Sequence, residues 1–289
     1  MSFRFRKLYA DAVLTDGAVV VVYLTWLDWA GIRTRSAAVE CYSADGGRAV
    51  WHAADVPLPI DPDCGAPVRI ALTTVAGDFR LEYSNGWPGW SPDGAPQGLC
   101  WRVLQPRGEA LVTWTGADGT TQSRGVGYVD WVDCRRPPRF LHLHSLAWGR
   151  AHWSDAASVY TSVRLASGTR WTRAARWRSG ALVDTTAEIE LEHAADGGLV
   201  AAAGTATWLR LGRGRALHCG AGLDRERFPR AFERIAARVL TGAVEETRWR
   251  CPVAGSEADR GEASAIHELV YFGRQNRAAA AGARRTEPA

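Results

Sequence analysis

An all-β fold, built as two small closed antiparallel barrels side by side with one short helix in the C-terminal half, is what this sequence predicts, on three observations. Short runs rich in β-branched and aromatic residues alternate apolar with polar along nearly the whole chain. Asp-Gly, Asn-Gly and Gly-Gly dipeptides, which supply positive φ at little steric cost, punctuate those runs. A proline pair divides them into two sets of about seven, close to the number that a small barrel needs to remove its open edges and enclose a ligand-sized interior.

Segments 18–27, 37–42, 68–74, 78–83, 99–104, 109–114 and 127–132 form the first set, with turns at Asp16-Gly17, Asp45-Gly46-Gly47, Ala76-Gly77, Asn85-Gly86 and Asp118-Gly119. Cys134-Arg135-Arg136-Pro137-Pro138 ends it, because consecutive prolines cannot occupy a central strand. Segments 140–148, 158–165, 169–177, 187–193, 205–211, 247–251 and 266–272 form the second set, broken at turns such as Ser179-Gly180 and Asp196-Gly197-Gly198. Phe228, Phe232, Ile235 and Val239 recur at helical spacing after Pro229, with Gly242 as the stop, which predicts an amphipathic helix against a barrel wall. Residues 1–138 are thus read as one barrel, 139–277 as the other and 278–289 as a disordered tail. Trp101-Arg102 ahead of Pro106 echoes Trp249-Arg250 ahead of Pro252. Each precedes an acid-bearing strand, holding Asp130 and Glu268 respectively.

Composition narrows the function. With 289 residues, 46% hydrophobic and 23% charged, the chain excludes wholesale disorder, collagen-like repeats and coiled coil. Its 35 basic residues, all arginine but Lys7, against 31 acidic ones create no strong field, which argues against a nucleic-acid partner. Fourteen tryptophans against seven tyrosines and seven phenylalanines fit broad aromatic walls around an apolar small-molecule ligand. The six cysteines contain no C-x-x-C pair, so neither a zinc ribbon nor a redox dithiol is spelled out, and most are expected as small buried residues. Leu8-Tyr9-Ala10-Asp11 follows the basic N-terminus where a signal peptide would carry an apolar run, and segment 18–27 is too short to cross a bilayer as a helix. A soluble, cytoplasmic protein without stable membrane insertion is expected. Phosphate loops, dinucleotide fingerprints, nucleophile elbows and H-E-x-x-H are missing from the sequence, so no cofactor and no metal are expected.

In Gly125-Val126-Gly127-Tyr128-Val129-Asp130-Trp131, period-two alternation sets Tyr128 and Asp130 on one face and Val129 and Trp131 on the other. If the first face lines an apolar cavity in the N-terminal barrel, desolvation favours the protonated acid, a proton donor near neutrality. The residues alone favour the plainer alternative, an aspartate at a strand end that is solvated or bonded to a turn. Trp101 and Val103 share a face of segment 99–104, where an indole borders the cavity and stabilises a developing carbocation, or simply fills the core.

Trp101-Arg102…Pro106, Gly125-x-Gly127-Tyr128-x-Asp130, the proline-rich link and Trp148-Gly149-Arg150 together resemble the carotenoid 1,2-hydratase (hydroxyneurosporene synthase) family, grouped with the AttH-like proteins of two lipocalin-like barrels. The resemblance covers residues 98–153 and implies a cofactor-free reaction in which an acid protonates a terminal trisubstituted alkene and water captures the tertiary cation. It assigns Asp130 as the acid and Tyr128 and Trp101 as the aromatics that line the cation. Directly after the motif the chain departs from those hydratases, reading Trp131-Val132-Asp133-Cys134-Arg135-Arg136 where they carry Asn/Gly-rich residues. Substrate-binding candidates are Trp131, His142, His144, Trp148 and Arg150, the last four sharing one strand face with His152 if no bulge intervenes. Three readings of the stripe stay open: a metal pair at His142 and His144, a polar pocket wall in which His144 and Arg150 orient a substrate oxygen, and a seam or solvated face with satisfied hydrogen bonds.

The expectation is a cofactor-independent enzyme acting on a hydrophobic polyene, isoprenoid or polyketide by alkene protonation followed by hydration or cyclisation. The alternatives are a pericyclase in which Tyr128 or Arg150 polarises a carbonyl, and a lipid- or terpenoid-binding protein without catalysis.

Overall fold

The computed structural model describes residues 3–53, 56, 68–194, 196–221, 243–254 and 263–272. Eight strands, β1 (Phe3–Leu14), β2 (Val19–Trp29), β3 (Ile32–Tyr42), β4 (Arg48–His52), β5 (Arg69–Thr74), β6 (Gly77–Ser84), β7 (Leu99–Gly116) and β8 (Gly119–Cys134), form one antiparallel sheet in the order β4-β3-β2-β1-β8-β7-β6-β5. Consecutive strands are neighbours and β8 returns to β1, the topology of an up-and-down barrel. Ala53, just past β4, bridges Thr74 at the end of β5, so the two edge strands meet there.

Period-two alternation fills one face with Leu8, Ala10, Val20, Val22, Leu24, Phe79, Leu81, Val129 and Trp131, members of one buried cluster drawn from strands all round the sheet. The turn dipeptides read from the sequence adopt left-handed backbone, as at Asn85 (φ 50°) and Gly119 (φ 109°). Segments 99–104 and 109–114 are a single strand, β7, whose register shifts on either side of Gln105 because Pro106 has no N–H for the ladder.

The following strands are β9 (Leu143–His152), β10 (Ala156–Leu165), β11 (Arg170–Arg178), β12 (Ala181–Thr186), β13 (Glu190–His193), β14 (Leu199–Ala203), β15 (Ala206–Leu211), β16 (Arg215–Ala221), β17 (Val244–Pro252) and β18 (Ser264–Phe272). They form a seven-stranded sheet, β12-β11-β10-β9-β18-β17-β16, and a three-stranded one, β13-β14-β15. The last strand again pairs with the first of its set. Two compact units result: Met1–Pro137 with Asp155–Val159 and Ala175–Thr185, and Pro138–Ser154 with Tyr160–Ala174 and Thr186–Ala289.

All-β architecture is thus as read from the sequence, while the expected helix around Phe228 to Val239, the tail from 278 and Cys64 lie outside the described residues. β1, β4, β12, β14 and β16 were not anticipated. In β1 the arginines Arg4 and Arg6 occupy core-facing positions and masked the alternation; Arg4 there forms a bidentate pair with Asp133 (3.1 and 2.7 Å). Of the cysteines, Cys134 and Cys251 are buried as expected, whereas Cys100 and Cys219 are exposed.

Glycines mark two close approaches. A Cβ on Gly127 would stand 2.1 Å from the Asp11 carbonyl oxygen and 2.6 Å from the Tyr83 ring, whose hydroxyl donates to that same carbonyl at 2.8 Å. A Cβ on Gly149 would stand 2.6 Å from the Tyr160 ring. In the second unit the buried His267 ring stacks on two half-buried rings, 4.7 Å from Trp249 and 5.7 Å from His193. Burial lowers the pKa of both imidazoles from 6.5 to about 4.

Two outcomes are expected. Gly127→Ala and Gly149→Ala each lower the unfolding free energy by about 1–3 kcal/mol through overpacking; urea midpoints identical to wild type contradict the close approaches. The unfolded chain protonates His193 and His267 below about pH 6.5 and the folded chain only below about 4, so unfolding takes up protons between these values. Stability contributed by the neutral rings is therefore complete above the upper value and falls as pH drops through this window. Imidazole NMR titrations in which both rings protonate near 6.5 contradict it.

Candidate functional site

Alternation along β8 holds as read: Val129 and Trp131 point into the core cluster and Tyr128 and Asp130 point the other way. The expectation that Asp130 faces the interior of the first barrel is therefore corrected. Apolar side chains, Trp26, Phe79 and Trp131 among them, fill that interior, and the acid lies on the opposite face of the sheet, where it is nonetheless buried, with 4% exposure.

On that face two donors converge on one carboxylate oxygen. The Tyr128 hydroxyl and the Trp101 indole Nε1–H each donate to Asp130 Oδ2 at 3.1 Å. Tyr128 is fully buried and Trp101 nearly so. Trp101 reaches the acid because β7 pairs it with Val132, two residues along β8 and on the same face as Asp130. Trp90 forms an isolated bridge with Val103, next to Trp101 on that face of β7. The two indoles meet edge to face at 5.9 Å, and Trp177 continues the run at 6.4 Å from Trp90, its Nε1 donating to the Pro88 carbonyl at 3.0 Å. A wall of three tryptophans thus leads away from the carboxyl.

Reading the sequence missed the other half of the cluster. In the β1–β8 register Tyr9 stands opposite Asp130 and Asp11 opposite Tyr128, so two Tyr-x-Asp units cross. Tyr9 donates to Asp11 Oδ2 at 3.0 Å, with both side chains buried, and its ring lies 6.2 Å from Tyr128 and 5.4 Å from Tyr23. Lys7 caps this group, with Nζ 5.7 and 5.5 Å from the Tyr9 and Tyr23 rings. On β3 the Tyr42 hydroxyl bonds the fully buried Glu40. The available signal was the recurrence of a phenol and an acid two residues apart in Tyr9-x-Asp11, Glu40-x-Tyr42 and Tyr128-x-Asp130.

The remaining candidates are dispersed. Trp131 sits in the core against Trp26, ring centroids 5.6 Å apart, and its indole N–H has no partner among the described residues. His142 is not on the stripe: it is exposed, with φ 52°, in the turn before β9, because left-handed backbone there interrupts the alternation. His144 is half-buried, and Trp148, Arg150 and His152 are buried on one face of β9 in the second unit, where Arg150 donates to His152 Nδ1 at 3.3 Å. Among the described residues no group of three His, Cys, Asp or Glu is arranged to hold a metal.

The proposed echo between halves fails in detail. Trp249 pairs with His267 and so lies on the face opposite Glu268, whereas Trp101 shares the face of Asp130. Glu268 instead accepts from the fully buried Arg248, through Nε at 3.0 Å and Nη2 at 2.6 Å, and Glu246 accepts from the same Nη2 at 2.6 Å. One acid strand carries a carboxyl held by a phenol and an indole, the other a carboxylate held by a guanidinium.

No protein-family model matches the sequence, and neither does any curated protein. Solved structures do match. CghA, crystallised with Sch210972, superposes with a TM-score of 0.59 at 12% identity, over 93% of this chain and 88% of that one. A putative AttH (NE1406) from Nitrosomonas europaea gives 0.58 at 11% identity, over 94% and 93%. Kievitone hydratase from Nectria haematococca gives 0.52 at 9% identity, over 93% and 88%. At these identities the likeness is one of fold: the chain has the architecture of the AttH-like, lipocalin-like proteins.

Proposed function

We propose that this chain is a cofactor-independent enzyme that protonates an alkene of a hydrophobic polyene, isoprenoid or polyketide from Asp130, with hydration or ring closure following. The observation that carries the reading is the buried carboxyl whose Oδ2 takes both a phenol and an indole donor. Because Oδ2 is engaged twice, the mobile proton resides on Oδ1. The alkene π pair forms the new C–H bond with that proton, and the electrons of the O–H bond remain on the carboxylate, where the Tyr128 and Trp101 donors stabilise the negative charge. Positive charge develops on the substituted carbon, and the faces of nearby indole rings stabilise it by about 0.5–2 kcal/mol where water is scarce. Water then adds to the cation and its surplus proton returns to Asp130, or a second π bond adds to close a ring and the new cation loses a proton to the Asp130 carboxylate.

Sharing a fold with a protein named kievitone hydratase supports the hydration branch. A second reading, cyclisation by shape with a polarised carbonyl, draws support from the fully buried Arg150 guanidinium and from the fold shared with ligand-bound CghA.

Asp130→Asn is expected to lower turnover of linear isoprenoids bearing a terminal trisubstituted alkene by about a hundredfold or more with folding intact; unchanged turnover with native circular dichroism removes the acid role. In heavy water the product is expected to carry one solvent deuterium at the protonated carbon, read by mass spectrometry and NMR. A cyclised product without that label selects the second reading.

A further inference from the structure

The ring stack of the second unit holds polar atoms that the fold does not satisfy. Among the described residues the buried Tyr160 hydroxyl, His267 Nδ1 and His193 Nδ1 have no hydrogen-bond partners, and Tyr160 and His267 have no exposure at all. Native folds seldom leave such atoms unpaired together without something to meet them.

Their placement follows from the ladder. His267 stands opposite Gly149 in the β18–β9 register, and the Tyr160 hydroxyl lies 2.6 Å from where a Gly149 Cβ would be. Opposed residues point to the same side with Cβ atoms about 5 Å apart, so the phenol and the imidazole lie on one face of the sheet, about one residue position apart. His267 Nε2–H donates to the Gly197 carbonyl at 2.8 Å, which makes Nδ1 an acceptor. The Cys251 thiol donates to the same carbonyl at 3.2 Å. Burial keeps both imidazoles neutral, with pKa lowered to about 4, raises the Tyr160 phenol well above its usual value and pushes the Cys251 thiol up to about 12. These four groups are uncharged near neutral pH, and the flat faces of Trp249 and His267 lie beside them.

We infer that this face of the second unit binds an uncharged, hydroxyl-bearing apolar molecule, an alcohol or a phenol, whose oxygen accepts from Tyr160 and donates to His267 Nδ1. A ketone or an ether satisfies only the phenol. A carboxylate or phosphate meets no cation among these four side chains, and its desolvation goes uncompensated. Only a hydroxyl serves both atoms at once. The site lies in the second unit, whereas Asp130 lies in the first, and the inference does not rest on alkene protonation.

Isothermal titration calorimetry on the full chain with 1-naphthol, 1-methoxynaphthalene and 1-naphthoate tests it. The expected result is one equivalent of 1-naphthol bound, with the ether about tenfold weaker and no detectable heat from the anion. Tyr160→Phe, which keeps the ring over Gly149, is expected to weaken 1-naphthol about tenfold, and Asp130→Asn to leave it unchanged. Equal affinity for naphthol and ether in the wild type overturns the site without any variant. Naphthol affinity unaffected by Tyr160→Phe does the same, and either result leaves internal water or plain packing as the account of these atoms.

Discussion

Removing carboxyl and imidazole groups from water is the constraint on which the rest of this structure depends. A buried ionised group is costly unless donors, an opposite charge or a lost proton compensates it. The chain uses each remedy in a different place. Asp130 and Asp11 are held by neutral donors, Glu268 and Glu246 by the Arg248 guanidinium, and His193 and His267 are kept neutral.

The same alternation that builds the barrels distributes these groups. In β8 one parity gives Val129 and Trp131 to the core, and the other gives Tyr128 and Asp130 to the face behind it. In β17 and β18 one parity gives Trp249 and His267 to the ring stack, and the other gives Arg248 and Glu268 to the charged face. Both faces are therefore buried. Such strands bury polar and charged groups on the side that an ordinary one-sided antiparallel sheet leaves to solvent.

This double burial explains what could be read from the sequence and what could not. Alternation with Gly-containing turns was legible because each is a local rule, and so was the pairing of Tyr128 with Asp130 on one face. Which face looks inward was not legible: Trp131 and Tyr128 are both large, aromatic and fully buried, so hydrophobicity does not rank them. Nor was the crossing of Tyr9-Asp11 with Tyr128-Asp130, which depends on a register between strands at opposite ends of the first unit. Arg4 and Arg6 hid β1 because their charges are answered by Asp133 and Asp28, partners distant in sequence. His142 left the stripe through a single left-handed residue, which no side-chain periodicity announces.

The closing ladders carry a consequence for how the chain acquires this shape. β1 is held on one side by β8 and β9 by β18, so each large sheet is joined at its middle by strands far apart in sequence, the pairing with the greatest loop-closure entropy. During synthesis the opening strand of each half waits with one edge bare until the final strand has left the ribosome. Lys7 and the outward carboxyl of Asp11 on β1 put charge on that waiting ribbon, which discourages it from adding to a neighbour's sheet.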